Sequence, residues 1–273
     1  MNKEVVVLTG AGSIGVAIIR RIGVAKSIVI ADVSLRQAQE VVQNLSNAGY
    51  EAYTHQVDIS SRISIQKLIV YAKTLGHIKY FVNGAGVSPS QASIETILKV
   101  DLYGTAILLE EFGKVISYGG AGIIISSQSG HRLPALQERE NALLALTPSE
   151  ELMSLDMLQK DKIRDTLHAY QLAKRANVLR VQKEALLWGE RGARINSISP
   201  GIIITPLAND ELHGERGEFY RNMLNACPAK RAGTPDEVAG VADLLMGVHG
   251  SFITGSDILM DGGATANFLY GKN

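Results

Sequence analysis

Short apolar runs divide the first half of the chain at regular intervals. They occupy residues 5–8, 27–31, 51–57, 78–82 and 122–125, and stretches with helical periodicity separate them. This alternation predicts an α/β fold in which helices cover a sheet of parallel strands. The runs at 5–8 and 123–125 lack alternating polar residues, which is typical of strands buried on both faces, so we expect a central sheet.

Three predicted helix starts carry the capping-box pattern, a hydroxyl residue followed three positions later by Glu or Gln. The pairs are Ser34 with Gln37, Thr147 with Glu150, and Thr234 with Glu237. Pro148 and Pro235 occupy the first helical position, where the missing N–H costs nothing. No linker, internal repeat or low-complexity segment interrupts the chain, so we predict one domain over residues 1–273. Residues 131–168 are predicted to form an insertion with short amphipathic helices.

Charge and cysteine content narrow the classes of function. The 27 basic and 27 acidic residues cancel, so no overall field favours nucleic acid or a membrane surface, and a small-molecule substrate is expected. The single cysteine, Cys227, cannot form an intrachain disulfide, and no Cys/His spacing predicts a metal site. The first apolar run is too short for a signal peptide, and no later run reaches bilayer length. We therefore expect a cytoplasmic protein.

Residues 10–15 read Gly-Ala-Gly-Ser-Ile-Gly, directly after the first predicted strand and at the start of a helix. Glycines at these positions let the backbone approach a pyrophosphate, and the helix start supplies free N–H groups and a positive dipole. The alternative is that these glycines only form a turn and bind no phosphate. The flanking strand and helix favour a dinucleotide site on a doubly wound parallel sheet, the Rossmann fold.

Asp32 ends the second predicted strand, where its carboxylate could accept hydrogen bonds from both hydroxyls of an adenosine ribose. A carboxylate there would repel a 2′-phosphate, so we expect NAD rather than NADP. The alternatives are a helix-capping role for Asp32 and a phosphate contact from the nearby Arg36. Asp58 closes the third strand and could meet the adenine edge. Residues 83–86 close the fourth strand beside the predicted ribose positions, although a turn role explains each residue equally well alone.

Tyr170 and Lys174 are four residues apart in a helical stretch, so their side chains share one face. A neighbouring ammonium group stabilises phenolate and lowers the phenol pKa towards neutrality, which suits a general acid/base. Ser126 and Ser127 end the fifth strand at the same edge of the sheet. A serine hydroxyl there could bind a substrate oxygen, or it could tie up the loop backbone.

These motifs, in this order, resemble those of the short-chain dehydrogenase/reductase family, nearly from end to end. Thr9 to Gly15 resembles the family's cofactor turn, Asp58 its adenine contact, residues 83–86 its Asn-Asn-Ala-Gly motif, and Tyr170 with Lys174 its Tyr-x-x-x-Lys. Residues 196–201 with Thr205 resemble the loop that holds the nicotinamide, and residues 261–263 the C-terminal signature.

The resemblance implies a function. Ser127 would bind the substrate oxygen, Tyr170 would act as general acid/base, and Lys174 would hold the nicotinamide ribose while lowering the tyrosine pKa. The reaction would interconvert a secondary alcohol and a ketone, on a steroid-like, sugar-derived or acyl substrate, in a homotetramer or homodimer. The residues expected to bind the cofactor are Gly10, Gly12, Ser13, Ile14, Gly15, Asp32, Asp58, Ile59, Asn83, Gly84, Ala85, Gly86, Tyr170, Lys174, Pro200, Gly201, Ile203 and Thr205.

The chain departs from the family pattern at three places. Its glycine turn is one residue shorter than Thr-Gly-x-x-x-Gly-x-Gly, and Gly84 replaces the second asparagine of Asn-Asn-Ala-Gly. Asp101 stands where the family has the asparagine of its catalytic tetrad, whose backbone carbonyl positions a water in a proton relay. We expect the relay to survive in this chain, since Asp101 also has a carbonyl. The alternative is that Asp101 is a helix residue whose charge pairs locally.

Two segments are candidates for substrate recognition. The insertion at residues 131–168 separates Ser127 from Tyr170 and could form a lid, contact the substrate, alter subunit packing, or be an exposed decoration. Residues 206–230 resemble the family's mobile substrate loop. His168 is expected to make a structural contact, and the alternative is that it lines the pocket. Two other functions stay open: an isomerase or dehydratase that retains NAD, and a noncatalytic NAD sensor.

Overall fold

In a computed structural model that describes residues 3–214 and 217–271, seven parallel strands form one sheet. The strands are β1 (Glu4–Thr9), β2 (Ser27–Asp32), β3 (Glu51–Gln56), β4 (His77–Asn83), β5 (Ala121–Ile125), β6 (Arg194–Pro200) and β7 (Asp257–Met260). Their order is β3-β2-β1-β4-β5-β6-β7. The order reverses between β1 and β4, and the crevice at such a reversal is where doubly wound sheets bind ligands. The predicted fold is confirmed.

Helices cover both faces of the sheet. They are α1 (Ser13–Ile22), α2 (Leu35–Asn47), α3 (Arg62–Leu75), α4 (Ile94–Ile97), α5 (Thr105–Gly113), α6 (Gln128–His131), α7 (Glu138–Leu146), α8 (Ser149–Leu152), α9 (Thr166–Glu190), α10 (Pro206–His213), α11 (Gly217–Ala226), α12 (Pro235–Met246) and α13 (Ala264–Tyr270). A π-helical segment, Leu98–Gly104, joins α4 to α5. Short 3₁₀ turns lie at Asp156–Leu158 and Val248–Gly250.

Strand β1 shows why its sequence lacks polar alternation. Val5 and Val7 pack in a core that includes residues of α3, α5 and α9, whereas Val6 and Leu8 pack in a second core with residues of α1, α2 and α12. All four side chains are fully buried. Each successive side chain points to the opposite face of a strand, so a strand between two helix layers must be apolar throughout.

Strands β6 and β7 do not appear among the apolar runs of the sequence. Strand β6 places polar side chains inside the protein: Asn196, Ser197 and Ser199 are buried. The two serine hydroxyls donate to Asp257 of β7, at 2.5 and 2.9 Å, and Asn196 donates to the Ile253 carbonyl. Buried polar groups are tolerated when they are hydrogen-bonded in this way, and they break the apolar signal of a strand.

Two of the three predicted caps are found. At Ser34 only half of the predicted box forms, because its hydroxyl accepts from the Gln37 N–H while its own N–H donates to Asp32. Thr234 and Glu237 form both halves of a capping box. The prediction at Thr147 is wrong: its N–H closes α7 by donating to the Leu143 carbonyl, and α8 begins after Pro148. The Glu150 carboxylate binds Arg62 and Tyr103 instead. Tertiary ion pairing therefore overrides the local pattern there.

The segment between α6 and α9 folds back onto α9, with α7 and α8 as its short helices. Its Leu144, Leu152 and Leu158 are buried in one apolar cluster with Leu172 and Ala176 of α9. The buried Arg180 guanidinium of α9 donates to the carbonyls of Leu144 and Thr147 and to the Ser149 hydroxyl. These contacts make the segment part of the core rather than an exposed decoration.

Candidate active site

The turn from β1 to α1 lies against the end of β4. Gly10 has φ +85°, and a Cβ at this position would overlap the backbone nitrogen of Ala85. Only glycine combines this backbone conformation with so close an approach. Gly12 caps the start of α1, and a Cβ there would meet no protein atom within 4 Å. The helix start therefore faces open space, as a pyrophosphate site requires.

Asp32 lies directly beside this turn. One carboxylate oxygen accepts from the Ala11 N–H at 2.8 Å, and the other accepts from the Ser34 N–H at 2.8 Å. The side chain thus holds the glycine turn and also makes the local backbone contact that the capping alternative predicts. Carboxylate oxygens have further lone pairs, so these bonds leave acceptor capacity for ligand hydroxyls.

The side chains of Asn83 and Asp58 form hydrogen bonds within the protein and do not face a cavity. Asn83 is buried, accepts from the Thr9 hydroxyl and the Ala85 N–H, and donates to the Thr105 hydroxyl at 3.3 Å. It therefore joins the ends of β1 and β4 to α5. The Asp58 carboxylate accepts from the N–H and hydroxyl of Ser60, two residues later.

A cavity of about 500 Å³ opens at the carboxyl edge of the sheet. The predicted site residues that line it are Ile14, Gly84, Ala85, Gly86, Asp101, Ser127, Tyr170, Lys174, Pro200, Gly201, Ile203 and Thr205. Those that do not line it are Gly10, Gly12, Ser13, Gly15, Asp32, Asp58, Ile59 and Asn83. The catalytic candidates are thus brought together with the residues predicted to lie beside the nicotinamide.

Tyr170 and Lys174 lie one turn apart on α9, and both line the cavity. The Lys174 ammonium is 5.3 Å from the centre of the Tyr170 ring. Its side chain is almost completely buried, and its Nζ lies 3.4 Å from the Ile125 carbonyl oxygen. Burial by itself lowers the pKa of Lys174, but the Asp101 carboxylate and the Tyr170 phenol outweigh it, so this pKa is raised.

The two candidate serines have different environments. The Ser126 hydroxyl is buried and donates to the Lys174 carbonyl at 2.9 Å, which fixes α9 against the end of β5. Ser127 caps α6, and its hydroxyl oxygen accepts from the Ser129 N–H at 3.1 Å. Both serines line the cavity, but only the Ser127 O–H proton is not used by these contacts, so Ser127 is the better candidate for a substrate ligand.

Asp101 is wholly buried in the π-helical segment. Its Oδ1 lies 3.3 Å from the Lys174 ammonium, and both carboxylate oxygens lie 3.3 Å from the Val87 nitrogen, whose N–H donates to them. Burial raises the pKa of Asp101, because Lys174 and the Val87 N–H offset only part of the desolvation of the carboxylate. The residue that replaces the expected asparagine thus forms an ion pair with the candidate catalytic lysine.

Several cavity residues were not singled out by the sequence, although Arg132 lies in the predicted insertion and the three α11 residues lie in the predicted substrate loop. They are Gln128 and Arg132 next to the serine loop, Gln171 of α9, Phe219, Tyr220 and Met223 of α11, and Phe268 of α13. Arg132 lies shortly after Gly130, and this position next to the serine loop was a signal that it could line the cavity. Nothing local indicates that α13 reaches the cavity. His168 accepts from the Arg164 N–H through Nδ1, which agrees with its expected structural role.

Comparison with known proteins decides the family. A sequence model described as "short chain dehydrogenase" matches residues 3–137, and one described as "Enoyl-(Acyl carrier protein) reductase" matches residues 140–265. The chain is 40% identical, over 97% of both chains, to "Short-chain dehydrogenase/reductase bsc3" of Alternaria brassicicola. It belongs to the short-chain dehydrogenase/reductase family. Members of this family are oxidoreductases that act on CH–OH groups and bind a nicotinamide cofactor.

More distant members resemble the chain over nearly their whole length. D-threitol dehydrogenase of Mycolicibacterium smegmatis is 26% identical over 97% of this chain and 94% of the relative. A short-chain dehydrogenase of Burkholderia cenocepacia, solved in complex with NADP, has a TM-score of 0.73 at 22% identity over 96% of this chain and 97% of that chain. This structural likeness supports the shared fold.

The helices and acidic or metal-binding side chains of residues 3–214 and 217–271 bear on membrane and metal binding. None of the helices there combines the length and the apolar character needed to cross a bilayer. Over the same residues, no three His, Cys, Asp or Glu side chains are grouped so that they could hold a metal ion.

Proposed function

We propose that this protein is an NAD-dependent dehydrogenase that interconverts a secondary alcohol and a ketone, with Tyr170 as general acid/base. The observation that carries the proposal is the arrangement of Ser127, Tyr170 and Lys174 around one cavity at the reversal point of the sheet. The open space over Gly12 suits a dinucleotide, because a Cβ there would meet no protein atom. The nicotinamide of such a cofactor supplies the hydride acceptor or donor.

The residues of the chain divide the proton chemistry between them. Ser127 donates a hydrogen bond to the substrate oxygen and so holds it beside the phenol of Tyr170. In oxidation, the Tyr170 phenolate takes the proton of the alcohol, and in reduction the phenol returns it to the forming alkoxide. Lys174, almost fully buried at 5.3 Å from the ring centre, stabilises the phenolate electrostatically.

The preference for NAD rests on Asp32 and Arg36. The Asp32 carboxylate lies beside the glycine turn, where its charge would repel a 2′-phosphate. The Arg36 side chain is exposed and its Nε donates to Glu40 at 2.9 Å, so this neighbouring cation is paired in the structure. A structural neighbour was solved in complex with NADP, so the fold itself does not exclude the phosphorylated coenzyme, and the preference for NAD depends on these side chains.

Two experiments test this function. Calorimetric titration should give tighter binding of NADH than of NADPH, and the reverse order would overturn the coenzyme assignment. Tyr170→Phe should remove most turnover in an NADH-linked alcohol and ketone panel while NADH affinity stays nearly constant. Tyr118→Phe, at an exposed tyrosine near the start of β5, is the matched control. Retained turnover in Tyr170→Phe would contradict the mechanism.

Self-association and location complete the proposal. We infer a homodimer or homotetramer, supported by exposed apolar side chains near the sheet edge formed by β7, including Val248, Phe252 and Leu259. Light scattering after gel filtration measures the mass, and a monomer at micromolar concentration would contradict this inference. The lone cysteine, Cys227, is buried, which is compatible with the cytoplasm.

A further inference from the structure

Arg132 follows α6 directly and lines the same cavity as Ser127 and Tyr170. The centre of its guanidinium lies 4.7 Å from the centre of the Phe268 ring, so one aromatic side chain covers it. The guanidinium lies in the catalytic cavity, but the proposed reaction assigns it no role.

The hydrogen-bonding groups of Arg132 have poor partners. One terminal nitrogen donates to the Met223 thioether sulfur at 3.2 Å, and the buried Nε has no acceptor among the described residues. A thioether is a weak acceptor. By contrast, Arg62 binds three carboxylates at 2.5 to 2.8 Å, and the terminal nitrogens of Arg194 donate to several backbone carbonyls. Arg132 alone of these faces a ligand cavity.

Gln128, four residues earlier, shares the weak acceptor of Arg132. Its amide nitrogen donates to the same Met223 sulfur at 3.3 Å, and its amide oxygen is buried without a donor within the described part of the chain. Two strong donors therefore converge on one weak acceptor at the cavity wall. Met223 lies on α11, in the segment that resembles the substrate loop, so a shift of this helix would present both donors to a ligand.

The charges of the cavity lining favour an anion. Lys174 and Asp101 lie 3.3 Å apart and compensate each other, which leaves the positive charge of Arg132. The carboxylate of Asp261 partly offsets the lowering of the Arg132 pKa by burial. However, the oxygens of Asp261 accept the N–H groups of Gly263 and Thr265 and make no ion pair with Arg132. An arginine stays protonated in such surroundings.

We propose that Arg132 and Gln128 form a carboxylate-binding subsite, so that the substrate of this enzyme is a hydroxy acid or the corresponding keto acid. The inference rests on the proposed alcohol dehydrogenase function and names its substrate class. When a carboxylate binds, the guanidinium and the carboxamide replace their hydrogen bonds to the thioether by charge-assisted hydrogen bonds, which are much stronger. The acid group is then held at the wall while Ser127 and Tyr170 bind the reacting oxygen.

The first test compares charged and neutral forms of one ketone. The wild-type enzyme is assayed by NADH oxidation with 3- and 4-oxocyclohexanecarboxylate and with their methyl esters. The expected result is a higher kcat/KM for at least one acid than for its ester. In Arg132→Met this acid-to-ester ratio should fall roughly 10- to 150-fold, the range expected for lost hydrogen bonds to a charged group. Arg139→Met, at an exposed arginine of α7, is the control and should keep the wild-type ratio.

The second test measures binding without turnover. Cyclohexanecarboxylate, which has no reacting carbonyl, is titrated calorimetrically into the wild-type enzyme with NADH bound, and then into Arg132→Met and Arg132→Lys. The methionine variant should bind at least tenfold more weakly, and the lysine variant should fall between, since it keeps the charge but loses the planar fork of donors. Wild-type enzyme that does not bind this acid would overturn the subsite.

Other outcomes separate the two proposals. If cyclohexanone and both esters are reduced as well as the acids, the dehydrogenase function holds and the subsite is refuted. If Arg132→Met weakens NADH binding tenfold without changing the acid-to-ester ratio, Arg132 belongs to the cofactor site and the subsite is also refuted. If no ketone is turned over but cyclohexanecarboxylate binds through Arg132, the subsite stands and the proposed reaction fails. Should Arg132→Met not fold, the wild-type ratio alone decides.

Discussion

Replacing Asp101 by asparagine tests how the buried ion pair sets the working pH of the site. The carboxylate lies 3.3 Å from the Lys174 ammonium, which in turn lies 5.3 Å from the Tyr170 ring centre. In wild-type enzyme, the negative charge of Asp101 therefore opposes the effect of Lys174 on the phenol. Asparagine has almost the same shape without the charge, so Asp101→Asn should make the phenolate easier to form.

The two distances give the size of this effect. They place the carboxylate within about 9 Å of the Tyr170 ring, where two unit charges interact by about 2 kcal/mol at an effective dielectric constant of about 20. One pKa unit corresponds to about 1.4 kcal/mol, so removal of the charge should lower the pKa of the phenol by about one unit. Oxidation needs the deprotonated phenol, and the acid limb of its pH profile should move down by the same amount.

The assay follows kcat/KM for alcohol oxidation against pH, at saturating NAD, for wild type and Asp101→Asn. Asp243→Asn on α12 is the control, because this exposed carboxylate lies outside the cavity lining and should leave the profile in place. An unchanged acid limb in Asp101→Asn would show that the wild-type carboxylate is protonated and carries no charge to remove. A limb that moves to higher pH would refute the expected direction and would show that the buried Lys174 loses its proton without Asp101.

Three further substitutions have defined outcomes. Gly12→Ala should leave the melting temperature nearly unchanged but weaken NADH binding at least tenfold, because its methyl group enters the open space over α1. Gly240→Ala on α12 is the control, because it has equally free space, and it should keep wild-type affinity in the same calorimetric titration. Gly86→Ala places a Cβ 2.5 Å from Oδ1 of Asp101, so it should cost about 1 to 3 kcal/mol in urea unfolding, and an unchanged midpoint would show that the carboxylate moves freely. Thr234→Ala removes the hydroxyl cap of α12 and should cost about 1 kcal/mol in the same assay, whereas a neutral result would mean that solvent replaces the cap.

The sequence by itself determined the features that depend on local pattern. Strand β1 is apolar because both its faces are buried, and its four consecutive apolar residues indicate this burial directly. The glycine turn and the Tyr170–Lys174 spacing also carry their geometry locally, since one needs a backbone without side chains and the other needs one helical turn. For this reason the fold and the catalytic pair were predictable.

The tertiary structure alone decided which charges meet. Asp101 reaches Lys174 because a π-helical segment and α9 pack against each other, and Arg132 faces Met223 and Phe268 because two C-terminal helices close over the cavity. The polar strand β6 likewise became recognisable only with its partner Asp257 in place. Such pairings join residues far apart in the chain, and their energies depend on distance and burial, which no local periodicity records.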